Sequence, residues 1–184
     1  MKGIWITLGV IVFIALIGFM SYRSMYNTAI SLQENVTARW ADVGADYQRR
    51  ADLVPQLVNT VKGAAANEQT ILKQVTEARA GITNAATPDQ MDAAGAKVNT
   101  LIKMTFEAYP QITSTANFAG LQVQLEGTEN RIATSRKRYN EAVQQYNSHI
   151  RGFFASMFLN KATFPVKEPF KEMPGSEKAP EVKF

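Results

Sequence analysis

The stretch Trp40-Ala-Asp-Val-Gly-Ala-Asp-Tyr-Gln-Arg-Arg-Ala-Asp-Leu-Val-Pro-Gln-Leu-Val58 decides the fold. Trp40, Val43, Tyr47, Arg50, Val54 and Leu57 follow one another in steps of three and four. Backward, the series takes in Tyr26, Ala29, Gln33 and Val36; forward, it reaches Val61. The residues between are mostly polar. A seam repeating every 3.5 residues marks a helix packed on other helices, whereas a strand alternates every second residue. Leu32, Leu53 and Val58 widen the apolar face beyond a two-position stripe, as a bundle helix requires. No segment alternates β-branched residues between turns, so the class is all-α.

Upstream lies Gly3-Ile-Trp-Ile-Thr-Leu-Gly-Val-Ile-Val-Phe-Ile-Ala-Leu-Ile-Gly-Phe-Met-Ser-Tyr22, a run without charge. As a helix it is about 30 Å long, enough to cross the hydrocarbon core of a bilayer. Trp5 and Tyr22 stand near its two ends, where amphipathic rings favour the headgroup layer. The competing reading is a cleaved signal peptide. The run exceeds the usual apolar length of one, and its exit, Gly18-Phe-Met-Ser-Tyr-Arg23, lacks a small-x-small cleavage pair. An uncleaved, single-pass anchor is expected, and the flanking charges Lys2 and Arg23 leave its orientation open.

Downstream, Gly63-Ala-Ala-Ala-Asn67 is the expected break after the first helix. The register also runs on unbroken through Ile71, Val75, Ala78 and Ile82, so one continuous rod is the alternative. Thr87 reads as an N-cap with Pro88 at the first helical position. Met91, Ala94, Val98, Leu101 and Thr105 make a third stripe, ending at Tyr109-Pro110. A last, proline-free stripe runs from Phe118 through Leu125, Ile132, Tyr139 and Tyr146 to Met157. The expected architecture is an N-terminal transmembrane helix (1–22), then an antiparallel four-helix bundle (23–164) with long first and last helices. A tail, 165–184, follows; Pro165, Pro169, Pro174 and Pro180 exclude a helix there, and it reads as extended and largely disordered unless a neighbour binds it. In this arrangement the short middle helices cover only the far half of the long ones. Tyr26, Trp40, Tyr139 and Tyr146 would then lie on a two-helix seam that covers them poorly, which points to self-association or another membrane protein as partner.

Composition narrows the chemistry. The 184 residues contain no cysteine and one histidine, which removes disulfides, thiolate nucleophiles and multi-histidine metal sites. A formal net charge of +4 is too mild for a dedicated nucleic-acid binder. Glu68, Glu77, Glu126 and Glu129 lack the Glu-x-x-His partners of a bundle-core metal centre, and His149 reads as solvent-facing. No phosphate-binding glycine loop or nucleophile elbow occurs. No enzyme activity, cofactor, metal or small-molecule substrate is expected.

Arg50 is the charged member of the first seam, where it must be paired. If the first and last helices are antiparallel with Val61 or Lys62 opposite Phe118, facing positions sum to about 180 and Arg50 comes to lie near Glu129. A pair is expected there with Asp52 or Arg136 nearby; an arginine snorkelling to solvent is the alternative. Such a pair would set helix register. Arg136-Lys-Arg138 reads as a solvated face, with an anionic lipid or nucleic-acid contact as its alternative. Phe153, Phe154 and Phe158 fall near the membrane, where interfacial contact competes with ordinary packing on the first helix.

The chain also resembles the LemA family. The residues that carry the likeness are Tyr26-Asn27, Trp40-Ala-Asp-Val43, Arg49-Arg-Ala-Asp-Leu-Val-Pro-Gln-Leu-Val58, Glu77-Ala-Arg79 and Tyr109-Pro110. Asn117-Phe118, Glu129-Asn-Arg-Ile-Ala-Thr-Ser-Arg136, Tyr139-Asn140 and Tyr146-Asn147 complete them. Phe153-Phe154 stands where members often carry Phe-Pro, and Asn67-Glu68 where His-Glu is common. The resemblance implies a membrane-anchored antiparallel four-helix bundle in a bacterial cell or inner membrane; it implies architecture and address, not chemistry. The expected role is a scaffold or adaptor at the bilayer surface. A sensory or regulatory input bundle and a membrane-remodelling scaffold are the alternatives.

Overall fold

The computed structural model describes residues 2–60, 65–108 and 116–171. Its helices are α1 Lys2–Thr60, α2 Ala65–Thr83, α3 Pro88–Ala108, α4 Ala116–Ile150 and α5 Phe153–Phe158. No strand occurs among the described residues, so the chain is all-α. The expected break at Gly63–Asn67 falls partly on residues 61–64, outside the described ones, and α2 begins within it at Ala65. The expected end of the third stripe at Tyr109-Pro110 also lies outside them; α3 is described to Ala108. Pro55 is carried inside α1.

The α2–α3 connection is a tight helical hairpin. Thr87 Oγ1 accepts the Gln90 amide at 3.3 Å, and the Gln90 side chain accepts the Ala86 amide at 2.8 Å. Two otherwise orphaned donors at the start of α3 are satisfied in this way, and Pro88 lacks a third. Gly81 lies against Ala94, where a Cβ would approach the alanine methyl to 3.3 Å, so the hairpin closes tightly.

The chain divides into two compact units. One consists of Arg39–Asn140 with Glu168–Phe184. Its core is built from the expected stripes: Val43, Val54 and Leu57 of α1, Val75, Ala78 and Ile82 of α2, Met91, Val98 and Leu101 of α3, and Leu125 and Ile132 of α4. The other consists of Met1–Ala38 with Glu141–Lys167. Its buried residues include Ala29, Val36, Val143, Tyr146, Ile150 and Phe164. In that unit the apolar N-terminal run of α1 is long and apolar enough to cross a membrane, reaches a mean hydropathy of 2.5, and is wholly exposed.

The last stripe, expected to run as one helix to Met157, is interrupted. α4 ends at Ile150, and Gly152 takes an extended backbone (φ −57°, ψ 150°) before α5. The Gly152 amide donates to the His149 carbonyl at 3.1 Å, closing the last turn of α4. Apolar spacing continues across this corner because Ala155 and Leu159 are still buried, so the pattern alone conceals the break.

Candidate functional site

In the unit of Arg39–Asn140 and Glu168–Phe184, a polar cluster joins α1, α3 and α4. Arg50, 12% exposed, meets Glu129 through Nη1, donates from Nε to Asn99 at 2.7 Å and reaches the Leu125 carbonyl at 3.2 Å. The structure thus brings Arg50 and Glu129 together. Asp52 turns elsewhere, to Arg79 at 2.6 Å. Two turns further along α4, Arg136 binds both carboxylate oxygens of Asp92, at 2.7 and 3.2 Å. Tyr47 donates its hydroxyl to the same carboxylate at 2.9 Å. Arg136 is only 11% exposed, which corrects its reading as a solvated face. The contact was missed because its acidic partner sits on α3, and helix periodicity does not tell which α3 residue faces α4.

Gly95 makes room for this cluster. A Cβ there would overlap the ring of Tyr47, so only glycine lets that ring lie against the α3 backbone. The cluster lines a cleft of about 360 Å³ together with Arg50, Asn99 and Glu129. Burial, reinforced by the negative charge of Asp92, pushes the Tyr47 hydroxyl up to about 12. At neutral pH Tyr47 is therefore a hydrogen-bond donor, and each of the two arginines is paired with a carboxylate. The cluster links α1, α3 and α4 through side chains.

The segment after Phe164, expected to be extended and largely disordered unless a neighbour binds it, runs without helix through residues 165–171 and is hydrogen-bonded to its own chain. Asn140 clasps Phe170, its Nδ2 donating to the carbonyl at 3.0 Å and its Oδ1 accepting the amide at 2.8 Å. Tyr139 donates to the Glu168 carbonyl at 3.1 Å. The Phe170 ring then stacks on Trp40 (centroids 5.8 Å apart, 17° between planes) and meets Tyr139 edge-on. The Arg136 guanidinium carbon lies 4.6 Å from its centroid, and Lys171 pairs with Asp89 at 2.8 Å. Residues 172–184 lie outside the described ones.

The other unit uses the same device. Asn147 exchanges two hydrogen bonds with Lys167, at 2.8 and 3.0 Å, and Tyr146 donates to the Pro165 carbonyl at 3.0 Å. Tyr26 meets Phe164 edge-on at 5.3 Å. Of the expected seam, Tyr146 is wholly buried and Tyr139 nearly so. What covers them is the chain's own carboxyl-terminal segment, a cover the two-helix reading lacked. The Tyr-Asn steps carried the signal, since an asparagine beside a seam tyrosine can bind a passing backbone.

The expected interfacial residues are exposed: Trp5 73%, Tyr22 43%, Phe153 74%, Phe154 68% and Phe158 58%. Tyr22 lies 6.1 Å from Tyr26, ring to ring. His149, expected to face solvent, is half-buried with Nε2 3.0 Å from the Met25 carbonyl. No group of three metal-ligating side chains occurs among the described residues.

An exposed apolar helix that continues into a packed, all-helical domain defines a helical protein with a membrane-anchor-like amino terminus. The chain belongs to the LemA family, whose sequence profile matches residues 39–184. It is similar to the magnetosome proteins MamQ 2 and MamQ 1 of Paramagnetospirillum magneticum (strain ATCC 700264 / AMB-1). Each is 26% identical over 198 aligned positions, which cover 91% of this chain and 73% of the relative.

Proposed function

We propose that this protein is a single-pass, membrane-anchored assembly module, a scaffold or adaptor whose antiparallel four-helix bundle works at the bilayer surface without catalysis. One observation carries the reading: the helix that holds the exposed apolar run, α1, goes on to supply Val43, Val54 and Leu57 to a packed core. The anchor restricts the domain to the bilayer surface and raises its local concentration there. The half-buried ion pairs of Arg50 with Glu129 and of Arg136 with Asp92 support the same reading, because paired charges between helices can specify their packing.

The test is the native mass of the full-length protein in nanodiscs or gentle detergent, beside a chain beginning at Arg23. A discrete assembly that depends on the apolar run supports a scaffold. A monomer in both removes self-assembly and leaves the adaptor form. The exposed aromatic side chains of α5 favour a second reading, a membrane-remodelling scaffold, which requires that the purified protein deform vesicles.

A further inference from the structure

The short helix α5 is unusual in what it leaves uncovered. Phe153, Phe154, Met157 and Phe158 occupy one side of it and are 58–74% exposed, while Ala155 and Leu159 on the other side are buried. Four large apolar groups on so short a helix form a contiguous patch of the kind soluble surfaces avoid.

The place of α5 within its own unit identifies what covers it. The chain enters α5 just after His149, bonded to the carbonyl of Met25, and leaves it to pack Phe164 on Tyr26. Both ends of the excursion are thus pinned to adjacent residues of α1. Met25 is three residues past Tyr22, the end of the charge-free run, or about 5 Å along the helix axis. A headgroup layer is roughly 5–8 Å deep. If the run spans the bilayer, α5 lies at the depth of the headgroups.

Charge agrees. Behind the aromatic face, Arg151, Ser156 and Lys161 share a cleft of about 310 Å³ with Leu159 and Phe164. Beyond the apolar run this unit carries Arg23, Arg151, Lys161 and Lys167 against Glu34 and Glu141. A cleft with two exposed cations and a hydroxyl, bordered by apolar side chains, matches the two ends of a phospholipid: an anionic phosphate and its acyl chains.

We propose that α5 is a second membrane contact, a foot whose aromatic face enters the interface while Arg151 and Lys161 bind the headgroup phosphate of an anionic phospholipid. The foot rests on the membrane-anchor reading above and deepens it. Trp5 and Tyr22 hold the anchor in register, and the foot gives the same unit a second hold on the bilayer.

The absence of cysteine makes the test direct. Single-cysteine variants Phe13→Cys, Phe154→Cys and Thr37→Cys of the full-length protein, the last exposed on α1 about 22 Å along the helix beyond Tyr22, are labelled with an environment-sensitive fluorophore. They are reconstituted into phosphatidylcholine vesicles, with or without phosphatidylglycerol, that contain lipid-borne quenchers. The expected result is deep quenching at position 13, shallow quenching at 154 and none at 37. Quenching at 13 without quenching at 154 overturns the foot alone; no quenching at 13 overturns the anchor and the foot with it. For the headgroup, native mass spectrometry counts phosphatidylglycerol retained by the unlabelled protein. Arg151→Gln or Lys161→Gln is expected to weaken retention roughly fivefold each. Equal retention of phosphatidylcholine and phosphatidylglycerol by the unsubstituted chain, or no change in the variants, overturns the phosphate site.

Discussion

Asn140 closes a two-bond ring with the backbone of Phe170, donating through Nδ2 at 3.0 Å and accepting through Oδ1 at 2.8 Å. A side-chain amide presents a donor and an acceptor side by side, as a neighbouring strand would, and so satisfies an extended segment that has no sheet to join. Asn147 does the same for Lys167. The two asparagines are seven residues apart and their partners three.

Replacing Asn140 by alanine removes both bonds and leaves two backbone groups of Phe170 without their partner. A loss of about 1–3 kcal/mol is expected. The Phe170 ring should lift from Trp40. In a Trp5→Phe background, where Trp40 is the sole indole, its emission should shift to the red. Phe170→Ala should give the same shift with a larger loss, about 3–5 kcal/mol. An unchanged spectrum in both would show that the stack does not form in solution.

Arg136→Met leaves the Asp92 carboxylate, a third exposed, with one hydroxyl partner and is expected to cost about 1–3 kcal/mol in urea unfolding. The double variant Arg136→Met with Asp92→Leu should recover most of that loss, because no uncompensated charge remains. If the double variant were as unstable as the single one, the loss would come from packing on Phe170 and not from charge.

Gly95→Ala should destabilise by about 1–3 kcal/mol, since the new methyl overlaps the Tyr47 ring. In a Tyr47→Ala background the sign should reverse, to a gain approaching 1 kcal/mol, because alanine is the better helix former once the ring is gone. Thermal melts of the four chains in this cycle check both signs.

Alkaline pH should act through Tyr47. Its folded hydroxyl stands at about 12 against 10.0 unfolded, chiefly through burial and then through Asp92. Below pH 10 both states keep the proton and the contribution is fully present. Between pH 10 and 12 only the unfolded chain releases it, and stability falls with pH by up to roughly 2–3 kcal/mol. Burial pushes Tyr139 and Tyr146 up as well, Glu168 adding to the former, so Tyr47→Phe should remove part of the alkaline slope. A slope unaltered by that substitution would place the titration elsewhere.

Much of the fold was legible because burial on helices is periodic. The steps from Val43 to Leu57, Arg50 excepted, from Ile71 to Ile82 and from Met91 to Thr105 coincide with buried positions. Thr87 and Pro88 marked the start of α3 by local chemistry that needs no tertiary partner. The expectation of antiparallel first and last helices, which keep a constant sum of facing positions, put Arg50 near Glu129, with an arginine snorkelling to solvent as the alternative; in the structure the two side chains meet. The pairing of Arg136 with Asp92 was not legible, because it depends on how α3 is rotated against α4. The corner at Gly152 was hidden by a pattern that stays apolar on either side of it.

The sequence by itself determined the helical class, the apolar amino-terminal run and which face of each helix turns inward, because these follow from composition and periodicity along one chain. Only the tertiary structure decided that Tyr139 and Tyr146 are covered by residues 165–171 and that Gly95 admits the Tyr47 ring. It alone showed that α5 leaves its aromatic side chains exposed. The physical reason is common to all three. Each depends on which surface a residue meets after the chain has turned back on itself, and the spacing of residues in sequence carries no record of that distance in space.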